Sequence, residues 1–201
     1  MHIVDDALSP ELSDRDAWTG GYYELSIQLG ATDDSRMQAA VPFLAGVAGI
    51  DGPWHMQWQP DRIQPAEWSI EDLSMGQLCG MVTLPDGQQA ICAVVDVRED
   101  NGDDWLDLCL PLEALARRDS RIGGFPFEPD PDHRSLAWRL PIDDWFARIA
   151  REVNQAVGFK LAAIGFEISG SVRAESVAKL AATERPYGIV LRDGTYLRAT
   201  R

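Results

Sequence analysis

The stretch LCGMVTLPDGQQAICAVVDV, residues 78–97, decides the fold class. Two apolar, β-branched runs flank Pro85-Asp86-Gly87-Gln88. An Asp-Gly pair between two such runs is the strongest short-range signal for a β-hairpin. Working outward, residues 22–29 alternate, with Tyr23, Leu25, Ile27 and Leu29 on one side and Tyr22, Glu24, Ser26 and Gln28 on the other. That pattern predicts a strand with one apolar face. Trp54, Met56 and Trp58 repeat it, as do Leu106, Leu108 and Leu110. Tyr187–Leu191 and Tyr196–Ala199 around Asp193-Gly194 predict a closing hairpin.

Helices fall between these strands. Thr32-Asp33-Asp34 predicts a capped start, followed by Met37, Val41, Leu44 and Ala48 at helical spacing, with Pro42 expected to kink or shorten the helix. Short helices are expected at about 70–76, after Pro111 and at 171–182. Asp143 and Asp144 read as the start of a helix whose apolar face is Ile142, Trp145, Phe146, Ile149, Val153 and Val157. Residues 119–141, rich in Gly and Pro, read as the longest irregular loop, and Phe159–Ile168 as a strand.

These elements predict an α+β fold, a largely antiparallel sheet with helices packed on one face. The order strand, helix, strand, short helix, hairpin occurs twice. This suggests a tandem pair of modules, 20–100 and 101–201, packed as one unit, the second carrying the 119–141 insertion. Residues 1–19 read as a loose acidic arm with one helical turn near Pro10–Ser13.

Composition narrows the function. Among 201 residues, 32 acids against 18 basic residues give a net charge of −14. That argues against nucleic acid as a partner, which calls for a basic face. No apolar run is long enough to span a membrane. The opening MHIVDDALSPEL has no apolar core, so a secretory signal is not expected and a cytoplasmic location is. Cys79, Cys92 and Cys109 read as small buried hydrophobes, with no spacing that suits a metal. His2, His55 and His133 stand too far from any nucleophile to suggest a triad. Phosphate-binding glycine loops and nucleophile elbows are absent, so no cofactor is implied. The acidic run around Gly102 fails the register of a calcium loop.

Two function classes follow. The first is a non-catalytic acidic protein that neutralises a basic partner by covering its working face. Immunity proteins against basic nuclease toxins work on that physical plan, and the likeness is one of charge and size. The expected contact surface is Glu99, Asp100, Asp103 and Asp104 with the 119–141 loop and Trp138, because a loop aromatic bordered by acids combines apolar anchoring with charge steering. Trp18 and Trp68 lie in similar contexts. The alternative is a small-molecule binder or enzyme with a cleft between modules, centred on a strand carboxylate, Glu24 or Glu167. The oligomeric state is not set by any of these features.

Overall fold

The structure, a computed structural model, describes residues 10–56, 63–98, 102–122, 134–177 and 184–200. A single sheet organises them, with strands β1 (Tyr22–Ala31), β2 (Asp51–Met56), β3 (Ile63–Pro65), β4 (Leu78–Thr83), β5 (Gln89–Arg98), β6 (Asp103–Pro111), β7 (Leu161–Phe166), β8 (Gly188–Leu191) and β9 (Tyr196–Leu197). Their order is β3-β2-β4-β5-β6-β1-β7-β8-β9, and every neighbouring pair is antiparallel. The mixed helix-and-strand class and the antiparallel sheet are as the sequence predicts. β1 lies between β6 and β7, so the boundary at residue 100 does not divide the strands into two sheets.

The hairpin reading of 78–97 holds in detail. Leu84 N–H donates to Gln88 O at 2.8 Å and Gly87 N–H to Leu84 O at 2.9 Å. Gly87 takes φ +85°, which its missing side chain permits. The two long helices, α2 (Asp34–Ala48) and α5 (Arg134–Val157), pack on one face. Asp33 caps α2 by accepting Ser35 N–H at 3.0 Å and Arg36 N–H at 3.1 Å. Met37, Val41, Leu44 and Ala48 are buried against the sheet as their spacing requires, and the helix runs through Pro42 without stopping.

Three expectations need correction. α5 begins at Arg134, well before Asp143, and passes through Pro141. The apolar stripe Ile142–Phe146–Ile149–Val153 continues back to Trp138, and burial of that longer stripe outweighs the single backbone bond that a proline forfeits. The arm is not loose from Pro10 onward. α1 (Pro10–Ser13) and a one-turn 3-10 helix (Arg15–Trp18) bury Leu12 and Ala17 against Cys79, Ile91 and Cys109 on the opposite sheet face. Within 171–182 the described part holds a 3-10 turn, Ala174–Ser176, rather than a helix from Ser171, and helical backbone at Val177; residues 178–183 lie outside the described residues. The remaining helices, α3 (Ile70–Ser74) and α4 (Leu112–Ala116), lie where expected.

Candidate functional site: a buried polar seam beneath the sheet

β1 carries two chemistries. Tyr23, Leu25, Ile27 and Leu29 enter the main core under α2 and α5. Glu24, Ser26 and Gln28 alternate to the other face, where β6 places Cys109 opposite Glu24 and Asp107 opposite Ser26. Apolar patches border this seam on both sides. Leu12, Ala17, Met81, Ile91 and Ala93 pack on one side, and Leu161, Ala163, Ile168, Val172 and Ile189 on the other. The chain after β7 crosses over the seam and is pinned to it through its own backbone. Ser169 N–H donates to Glu24 Oε2 at 3.1 Å, and Ala174 N–H donates to Gln28 Oε1 at 3.1 Å. The result is a set of polar side chains taken out of water, with Glu24 only 7% and Asp107 only 2% exposed.

Burial decides their protonation. Loss of hydration pushes the Glu24 carboxyl up to about 7, with repulsion from Asp107 and Glu167 adding to it and the Ser169 N–H opposing it. Desolvation likewise raises Asp107 to about 6, against stabilising contacts with Ser169 and Ser26. Among the described residues Ser26 Oγ, Asp107 Oδ1 and Trp105 Nε1 are buried without a hydrogen bond of normal geometry. For Asp107 the contacts with Ser26 and Ser169 are therefore loose ones that still favour its charged form. The Cys109 thiol is pushed far up by burial and by Glu24 beside it, so it is not a nucleophile at neutral pH. Chemically, the seam can keep a proton on Glu24 near neutrality.

The sequence-predicted residues separate into different roles. Glu24 is buried rather than on a solvated strand face. Glu167 is exposed at the end of β7, with φ +41°, and acts on Glu24 only through its charge. Asp103 and Asp104 do not form part of a solvated turn; both lie in β6 and are buried. They point to opposite faces because a strand alternates. Asp103 accepts from Gln28 Nε2 at 2.7 Å and from Lys160 Nζ at 3.0 Å. Asp104 Oδ2 accepts from Asp33 N–H at 3.0 Å, tying β6 to the start of α2, and its Oδ1 is 3.5 Å from Arg98 Nε. Glu99 and Asp100 lie outside the described residues.

Trp138 is not a loop anchor. It is 4% exposed in α5 and meets Tyr23 edge-on, ring centroids 5.2 Å apart. Trp18 and Trp68 are half-buried against the two cores. Asp143, read as a helix start, is a buried residue in the middle of α5. It accepts from Tyr23 Oη, which in turn accepts from Arg139 Nε at 2.9 Å. Sequence reasoning missed the seam as a unit. The signal was present in part: polar residues recur at every second position in YELSIQ (23–28), and pairing with β6 sets Trp105, Asp107 and Cys109 opposite them on the same face.

The exterior has its own pattern. Many cations are tied down within the molecule: Arg98 to Asp34 at 2.7 Å, Arg117 to Asp14 at 2.6 Å, Arg148 to Glu152 at 2.7 Å and Arg198 to Asp144 at 2.7 Å. Asp51, Glu67, Glu71 and Asp86 are exposed without an ion-pair partner among the described residues. Around α3, Glu67 and Glu71 flank half-buried Trp68, and Met75 is 68% exposed. Among the described residues no group of three or more His, Cys, Asp or Glu is placed to hold a metal ion, and no helix is long and apolar enough to cross a membrane. Compared with known proteins, the chain matches no protein family, no curated protein and no solved structure.

Proposed function

We propose that the chain is a non-catalytic binding protein that engages a basic protein partner and neutralises it by covering its working face. The observation that carries this reading is the uneven pairing of charge. Arg98, Arg117, Arg148 and Arg198 are each paired with an acid of the same molecule, yet acids so outnumber bases that a surplus behind the net charge of −14 is left to act on other molecules. Such a field steers a cationic protein in at long range and repels nucleic acid. The contact surface we assign is the segment around α3, with Trp68 between Glu67 and Glu71 and Met75 at the helix end as apolar anchors. It takes the place of the expected surface built on Asp103, Asp104 and Trp138, which are buried. The three free, buried thiols fit a reducing cytoplasm as the place of action.

The test is capture from a lysate of the source organism on the tagged chain, eluted by stepped salt. The expected result is one stoichiometric basic protein, released as salt screens the contact and lost when Glu67→Lys and Glu71→Lys are combined. Capture of nothing stoichiometric, or of a partner indifferent to both salt and the charge reversals, would contradict the reading.

One observation favours a second reading. Two neighbouring carboxylates with raised pKa, Glu24 and Asp107, are the kind of pair found in catalytic and ligand sites. This reading requires the 168–174 crossing to open. A screen of small neutral and cationic molecules by thermal shift would support it if a hit lost its effect in Glu24→Gln.

A further inference from the structure

We propose that the pocket at the β1–β7 end of the sheet, between the start of α2 and the end of α5, binds a small oxyanion, inorganic phosphate or a phosphate monoester. The pocket encloses about 260 Å³ and is lined by Gly30, Arg36, Gly158, Phe159, Lys160 and Arg192, among others, with no carboxylate in its wall. Three cations facing one recess stand out in a chain where acids outnumber bases.

The geometry brings them together for identifiable reasons. Gly30 has φ +104° and no side chain; a Cβ there would lie 3.2 Å from Lys160 Cε and 3.6 Å from Arg36 Nη1. The two cationic side chains therefore converge over the same residue. Arg36 Nη1 donates to Leu29 O at 2.8 Å, which sets the plane of its guanidinium, while its contact with Asp33 is loose at 3.8 Å. Lys160 is braced by Asp103 at 3.0 Å and, more distantly, by Glu175 at 3.8 Å. Both side chains remain partly exposed, 34% for Arg36 and 40% for Lys160.

Arg192 is the distinctive member. Its side chain makes no ion pair and no hydrogen bond among the described residues, in a protein where most arginines are committed. Its backbone is nevertheless fixed. Asn154 Nδ2 donates to Arg192 O at 2.7 Å, and Asn154 Oδ1 accepts from Phe159 N–H at 3.2 Å, locking the last hairpin to the end of α5. A guanidinium fork that lines a recess and lacks an internal acceptor suits the paired oxygens of a phosphate. The carbonyl end of α5 opposes an anion here, but helix-end charge is a fraction of one unit, and Arg192, with no ion pair, and Arg36, only loosely paired, each bring a whole one. This inference is independent of the partner-binding reading.

The test is calorimetric titration of the full chain with inorganic phosphate, at constant ionic strength set by sodium chloride. The expected result is saturable, one-site binding that weakens by about tenfold or more in Arg192→Ala and, separately, in Arg36→Ala, the loss of charged hydrogen bonds. Because the Arg192 side chain supports nothing else, that variant should keep the wild-type circular dichroism spectrum and melting temperature. Repeating the titration with glycerol phosphate asks whether the site prefers a monoester. No saturable phosphate binding, or binding equal in both variants and wild type, overturns the proposal.

Discussion

Glu24 is held where its charge is least welcome, and that gives stability a pH dependence of known sign. Its carboxyl is raised from 4.5 to about 7 in the folded chain. Between those values the native state binds the proton and the unfolded state does not. The favourable contribution is complete below about 4.5 and is lost as pH rises through 7, by up to about 3 kcal/mol. Asp107 and Asp143, each raised to about 6, act in the same direction over a lower window. Glu24→Gln keeps an acceptor for Ser169 N–H and removes the charge. Relative to wild type, it should gain about 2 to 3 kcal/mol between pH 5 and pH 8 in urea unfolding. An identical difference from wild type at both pH values would refute this account of Glu24. Tyr23→Phe tests a second buried carboxylate. It removes the hydroxyl that donates to Asp143 while leaving Asp143 1% exposed, so a loss of about 1–3 kcal/mol is expected. A neutral outcome would mean that Arg139 alone satisfies Asp143. Neither role was legible in the sequence. Alternation placed Glu24 off the apolar face of its strand, but not what covers that face, because the cover comes from residues 168–174, far along the chain.

At the scale of elements, the local signals that succeeded were those closed within a few residues. The Asp86-Gly87 turn and the Asp33 cap each close within four positions along the chain. The signals that misled depended on distant packing. Pro141 read as part of a loop, yet Trp138 has a site waiting on Tyr23, and the helix extends to fill it. The acidic turn read as solvated, yet Asp103 and Asp104 have Gln28, Lys160 and the Asp33 amide to meet. Close approach of strands is equally invisible locally. Gly80 of β4 lies opposite the register shift in β2 between Asp51 and Trp54. A Cβ there would come within 2.4 Å of Ile50 Cγ2 and 2.7 Å of Asp51 O. Gly80→Ala should therefore displace β2 and lower stability by about 2 kcal/mol or more, beyond the usual 1–3 kcal/mol of overpacking if the backbone cannot yield. Thermal unfolding with protection of the β2 amides would register it. Unchanged exchange at β2 would show that the strand shifts freely.

For the whole molecule, sheet and charge do separate work. The sheet is continuous from β3 to β9, and the two helices on one face and the crossing segments on the other leave its polar seam closed. The charge lies outside and is unevenly paired, with its unmatched acids around α3 and the turns. Net charge was legible from composition alone. Which acids are free was not, since ion pairs such as Arg117 with Asp14 join residues about a hundred positions apart. The central claim is that free surface acid steers a cationic partner to the α3 surface. The most direct test is the association rate of the chain with its captured partner across a series of ionic strengths, for wild type and for Glu67→Lys combined with Glu71→Lys. The account predicts a wild-type rate that falls steeply with salt, and a variant whose rate is slower at low salt with a flatter dependence, while dissociation changes less. A wild-type rate independent of salt, or a variant with the wild-type slope, would contradict it.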